Sequence, residues 1–177
     1  MRFLGISGSL RRASTNRMLL EAFAQYAPST VMLELFDGLD TLPIFNPDLE
    51  ETVHAPVERL ASAVAAADGL VIACPEYAHG IPGGLKNALD WLVSRSEIPG
   101  KPVMVVHASA RSSTSREHLR EVLKTMSCKV FDGGEFECHL IGKPPAEITD
   151  LLEGADIVQR MAVALAEFAA FCAKTPD

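Results

Sequence analysis

A chain of 177 residues is long enough to bury a substantial core and is most simply one domain, residues 1–177. Apolar residues at 48% and charged residues at 22% are close to the globular average, and no apolar run approaches the roughly 20 residues of a membrane span. The net charge of −7 argues against nucleic acid or an anionic membrane surface as partner, so any anion site must be local.

The first apolar run, residues 2–6, reads as a strand. It is followed by "SGSLRRASTN", residues 7–16, where two arginines stand among hydroxyl and amide side chains. A helix over residues 15–26 comes next, with Leu19, Ala22, Phe23 and Tyr26 on one apolar stripe. A second strand is expected at 31–36, a helix at 55–67 and a third strand at 69–74. The stretch "CPEYAHGIPGGLKNALDW", residues 74–91, is held non-helical by Pro75, Pro82, Gly83 and Gly84, then runs into a helix to residue 94. A fourth strand at 103–107 leads through "HASARSSTSREHL" into a helix at 115–126. A fifth strand lies somewhere in 128–140, and one long helix is expected over 147–173. Runs such as "LVIAC" and "VMVVHA" are apolar on both faces, which suits central parallel strands covered by helices on each side. Strand and helix alternate throughout. The expected fold is therefore α/β and flavodoxin-like: a doubly wound, five-stranded parallel sheet of order 2-1-3-4-5 with helices on both faces. Ligands of such sheets bind beyond the carboxyl ends of the strands, at the switch point beside strands 1 and 3.

Three loops leave that edge, residues 8–14, 75–84 and 108–114. The first precedes a helix amino end, whose unpaired N–H groups and partial positive charge favour a phosphate. Ser9, Ser14 and Thr15 offer hydroxyl donors, Asn16 an amide, and Arg11 or Arg12 a forked cation. This donor set fits a terminal phosphate monoester. Competing motifs fail. Ser7 stands where the second glycine of a dinucleotide loop would be, and "GKP" at 142–144 lacks the rest of a Walker loop. The second loop presents backbone groups that the polar edge of a flat heteroaromatic ring would accept, with Tyr77 available to pack on it. The four cysteines form no Cys-x-x-Cys pair and read as buried free thiols, and no metal site is expected.

Taken together, "GSLRRASTN" at 8–16 and "PEYAHGIPGGLKNALDW" at 75–91 resemble the NADPH-dependent FMN reductase family, which includes chromate and quinone reductases. The resemblance implies a bound FMN, reduced by NADPH or NADH, with a small-molecule electron acceptor. It places Ser9, Arg11, Ser14 and Asn16 at the phosphate, with Thr15 beside them. Pro75, Glu76, Tyr77 and the backbone of Ala78 would line the ring. The chain departs from the family at Ala78, where asparagine is usual, at Gly80, where serine is frequent, and in a third loop that is shorter and lacks glycine. Ser109 and Arg111 are the candidates for the pyrimidine side, Arg111 as a cation near the edge where a reduced flavin carries negative charge. A flavin carries out redox chemistry itself. No acid or base is expected, and Glu76 and Asp90 read as structural. A cytoplasmic homodimer or homotetramer is expected. The alternatives are a non-enzymatic FMN electron carrier and, more remotely, an α/β hydrolase. The hydrolase lacks support: Ser9 stands where Gly-x-Ser-x-Gly needs its last glycine, and Gly80 stands where Cys-x5-Arg needs its arginine.

Overall fold

The computed structural model describes residues 1–109, 113–134 and 136–174. The strands are β1 (Arg2–Ser7), β2 (Met32–Leu35), β3 (Gly69–Ala73), β4 (Pro102–His107), β5 (Lys129–Val130) and β6 (Phe136–Glu137). The helices are α1 (Thr15–Gln25), α2 (Ala55–Ala65), α3 (Gly83–Leu92), α4 (Ser113–Thr125), α5 (Pro145–Leu152) and α6 (Ala155–Ala173). All pairings are parallel, in the order β2-β1-β3-β4-β5, with β6 also on β4. This is the expected flavodoxin-like sheet.

The period-two alternation of the strands divides the core into two layers. Leu4 and Ile6 of β1, Leu70 and Ile72 of β3, and Val103 and Val105 of β4 face α2, α3 and α4. Phe3, Val71, Ala73, Met104 and Val106 face α1, α5 and α6. Because both faces of β3 and β4 are covered, every residue of those strands is buried. That explains why Gly69–Ala73 and 102–106 run apolar without a break, with the buried His107 closing β4.

Two elements differ from the sequence expectation. The fifth strand is two short pieces on one edge of β4. Val103 pairs with Val130 and Val106 with Phe136, so the edge chain makes a longer excursion than β4 between those pairs. Asp132 and Gly133 are turn-forming residues that let it leave and return. The long final helix is also two helices. Gly154, at φ −61 and ψ 133, leaves helical geometry and becomes the N-cap of α6. The apolar stripe continues across the break through Leu152, Met161 and Leu165, so periodicity alone cannot locate it.

Candidate functional site

β1 and β3 are adjacent, but α1 leads back to β2 on one side while α3 leads to β4 on the other. Their carboxyl ends therefore open a crevice between diverging loops. The roots of the two loops are tied together, since Gly8 N–H donates to the Ala73 carbonyl at 2.8 Å. A Cβ on Gly8 would come within 3.0 Å of Leu85 Cδ2 and 3.1 Å of Pro75 Cδ, so only glycine lets the first loop cross this close to the second.

A cavity of about 570 Å³ lies in this crevice. Ser9, Arg11, Ser14, Thr15 and Asn16 line it from the first loop, Pro75, Glu76 and Tyr77 from the second, and Ser109 from the end of β4. The sequence candidates thus converge on one site. Two do not line it as described. Ala78 is at the tip of the second loop, and Arg111 lies outside the described residues.

The first loop ends with Ser14 as the N-cap of α1, its Oγ accepting the Arg17 N–H at 3.4 Å. No acidic residue stands in the first turn. The N–H groups of Thr15 and Asn16 have no acceptor among the described residues. Asn16 is only 4% exposed, and its Oδ1 has no hydrogen-bond partner among those residues. Arg11 lines both the cavity and a neighbouring depression that holds Asp37 and Asp40, whereas Arg12 lines only the depression. Arg17 is paired with Glu21 at 2.8 Å and Asp37 at 2.5 Å, which leaves Arg11 and Arg12 as the loop's side-chain cations without an ion-pair partner among the described residues.

The second loop closes on itself at its tip. Tyr77 and Gly80 exchange backbone hydrogen bonds of 3.1 and 3.0 Å around Ala78 and His79, whose φ values are 49° and 57°. Positive φ at both central residues is the signature of a type I′ turn, and neither residue is glycine. Tyr77 is 52% exposed at the cavity mouth, with its Oη 3.1 Å from Ser9 Oγ. The Glu76 carboxylate accepts the Ser115 N–H at 2.9 Å and lies 3.3 Å from His79 Nδ1. The Ser115 bond above all, and then His79, holds its pKa below the usual glutamate range. Glu76 is a cap on α4. Asp90 is a surface partner of Lys86 at 2.5 Å on α3. Cys74 is buried, and burial with the nearby Glu76 charge pushes its thiol up to about 12, so it is no nucleophile at neutral pH. All four cysteines are free.

The far wall comes from a segment outside the sequence candidates, including Ile141, Gly142, Lys143, Pro145 and Ile148. Its only sequence signal was "GKP", which excluded a Walker loop and pointed to nothing else. Arg116 pairs with Glu137 and donates to the Ser109 carbonyl at 2.7 Å, joining the start of the third loop to β6.

Residues 1–141 match the family described as NADPH-dependent FMN reductase. The chain belongs to that family. It is thus an NAD(P)H-dependent, FMN-containing oxidoreductase, which sets aside both the carrier and the hydrolase. The reductase is 36% identical over 167 residues to an NAD(P)H-dependent FMN reductase of Pseudomonas aeruginosa, covering 91% of this chain and 84% of that one. It is 36% identical over 136 residues to a quinone reductase of Escherichia coli, covering 73% and 72%. A flavoenzyme NAD(P)H:(acceptor) oxidoreductase of Paracoccus denitrificans superposes with a TM-score of 0.82 at 20% identity, covering 98% of both chains. That likeness extends the shared fold through α6.

The residues present suit FMN. The cavity lies in the roughly 300–1,000 Å³ range of small-molecule sites. Its polar end has unused N–H donors, hydroxyls and a cation, all suited to a phosphate monoester. Glu76 is the one carboxylate among the described lining residues, and it is turned toward α4.

Proposed function

We propose that this reductase holds FMN in the β1–β3 crevice, accepts hydride equivalents from NADH or NADPH, and reduces quinone-type or free-flavin acceptors. The observation that carries this reading is the convergence of Ser9, Arg11, Ser14, Thr15 and Asn16 with Pro75, Glu76, Tyr77 and Ser109 on one cavity. When bound, FMN supplies the redox chemistry, taking a hydride from the nicotinamide and passing electrons to the acceptor.

The chain's own residues bind and orient. The α1 amino end, with Ser9, Ser14, Thr15, Asn16 and Arg11, takes the phosphate. Pro75, Glu76 and Tyr77 form the shelf for the ring, with Ala78 supporting it through the turn and Ser109 on the pyrimidine side. Arg111, two positions after Ser109 in the sequence, is proposed for the same side. Tyr77, half exposed at the mouth, leaves an approach for flat acceptors. Quinones are favoured because curated relatives of Escherichia coli and Oryza sativa are a quinone reductase and a probable NADPH:quinone oxidoreductase.

The reading includes one FMN-binding domain over residues 1–177, a cytoplasmic setting, and a homodimer or homotetramer. No helix among the described residues is long and apolar enough to cross a membrane. Ile44 is 86% exposed and Leu10 54% exposed on a groove beside α3, apolar surface that a second copy would cover. Light scattering tests the assembly, and a monomer at micromolar concentration overturns it. The decisive experiment is the absorbance spectrum of the purified protein before and after anaerobic NADH or NADPH. Flavin bands that bleach, and recover on adding a quinone, are expected. A protein that neither carries FMN nor takes it up overturns the reading.

A further inference from the structure

The cavity wall at 141–148 lies almost wholly beyond the segment that matches the family, which ends at residue 141. A turn closes between Leu140 and Lys143, with the Lys143 N–H 3.4 Å from the Leu140 carbonyl and Gly142 at φ 86°. It brings Lys143 onto the same cavity as Arg11, Ser14, Thr15 and Asn16.

Local structure gives this lysine poor support. It precedes α5, whose N-cap is Pro144, with no side-chain cap and with Pro145 in the first turn. A cation there faces the positive end of the helix dipole. Its partner is Glu147, four residues later. Lys143 lies before the N-cap, outside the helix, and a largely solvent-exposed ion pair of this kind stabilises little. An anion in the cavity reverses the unfavourable terms. It would meet Lys143 and Arg11, which line the same cavity, together with the amino end of α1.

We propose that Lys143 is a second cationic clamp on the FMN phosphate, supplied by the chain's C-terminal segment, and that it sets the preference for FMN over unphosphorylated flavin. This rests on the reading of the cavity as the FMN site. In the flavin-free chain the ammonium stays with Glu147. On binding, the phosphate dianion competes for it, and one charge-assisted contact is added to those of the first loop.

The test is a fluorescence titration of FMN and riboflavin into the full-length chain freed of flavin, with wild type, Lys143→Met and Lys143→Arg. A charge-assisted hydrogen bond predicts that Lys143→Met raises the FMN Kd by about tenfold or more. The riboflavin Kd should stay within about twofold, Lys143→Arg should retain most of the FMN affinity, and the FMN effect should shrink with added salt. An unchanged FMN Kd, or equal weakening of both flavins, overturns the clamp. A wild-type chain that binds both flavins equally overturns the phosphate reading itself, and the clamp with it. A wild type that prefers FMN beside a Lys143→Met variant that behaves the same overturns the clamp alone. Circular dichroism of each variant identifies a loss of folding, in which case the Lys143→Arg comparison decides.

Discussion

In the loop that follows β3, the Glu76 carboxylate and the two ends of the tip turn are partnered inside the protein. Glu76 takes the Ser115 N–H, and Tyr77 and Gly80 close the hairpin on each other. In the loop that follows β1, the N–H groups of Thr15 and Asn16, the Asn16 amide oxygen and the Arg11 guanidinium have no partner among the described residues. The two loops face the same cavity in different states of completion. The β3 loop is closed at its tip by folding and can serve as a shelf. The β1 loop presents N–H donors and a cation that an anion would complete, and buried polar groups left without a partner cost stability. Ligand binding should therefore act on the β1 loop, and the β3 loop should matter chiefly to the stability of the protein without ligand.

The largest expected effect breaks the anion side. Arg11→Ala should weaken FMN by about 1.5–3 kcal/mol, the range for a hydrogen bond to a charged group, and leave riboflavin nearly unaffected. Arg12→Ala should change FMN affinity less, because Arg12, unlike Arg11, does not line the cavity. Isothermal titration of both variants checks the order, and the reverse order removes Arg11 from the phosphate.

A smaller effect sharpens the contrast from the shelf side. Ala78 holds φ 49° at the hairpin tip, and left-handed backbone costs an ordinary residue about 1–2 kcal/mol. Asparagine tolerates that conformation, so Ala78→Asn should stabilise the flavin-free protein by about 1 kcal/mol and leave FMN affinity unchanged. Thermal unfolding without and with FMN measures both parts. A lower melting temperature would show that the turn is not strained.

The smallest effect concerns Glu76, whose charge is partly open to solvent. Its folded pKa lies below the usual range because the Ser115 N–H bonds the carboxylate. Its contribution is fully present above the ordinary glutamate range and is lost as the pH falls through the lowered folded value. Glu76→Gln should melt below wild type at neutral pH, and the gap should close on acidification. Melting curves from neutral pH down to about pH 3 test this, and a gap that persists at the acid end rejects the cap.

The features legible in the sequence are those that neighbouring residues decide. Strands buried on both faces are apolar along almost all their length, so β3 and β4 announced themselves, with His107 as the one polar residue, at the end of β4. A helix that faces a sheet must repeat every three to four residues, as Leu19, Leu20 and Phe23 do in α1. Ser14 before Thr15 marks a helix start because a cap acts within one turn. The β1 loop was legible for the same reason: its hydroxyls, amide and arginines are consecutive. The tertiary structure decided what depends on distant partners. Glu76 caps a helix that starts 37 positions after it in the chain, at Ser113. The split of the edge strand is set by where β4 stops offering pairs, and the break before α6 is hidden because both helices press on the same core layer. Lys143 joins the site only because the chain, after pairing with β4, returns across the sheet edge and seats α5 against α1. No spacing rule within the sequence carries a contact of that range, since its energy comes from surfaces that meet only when the sheet has formed.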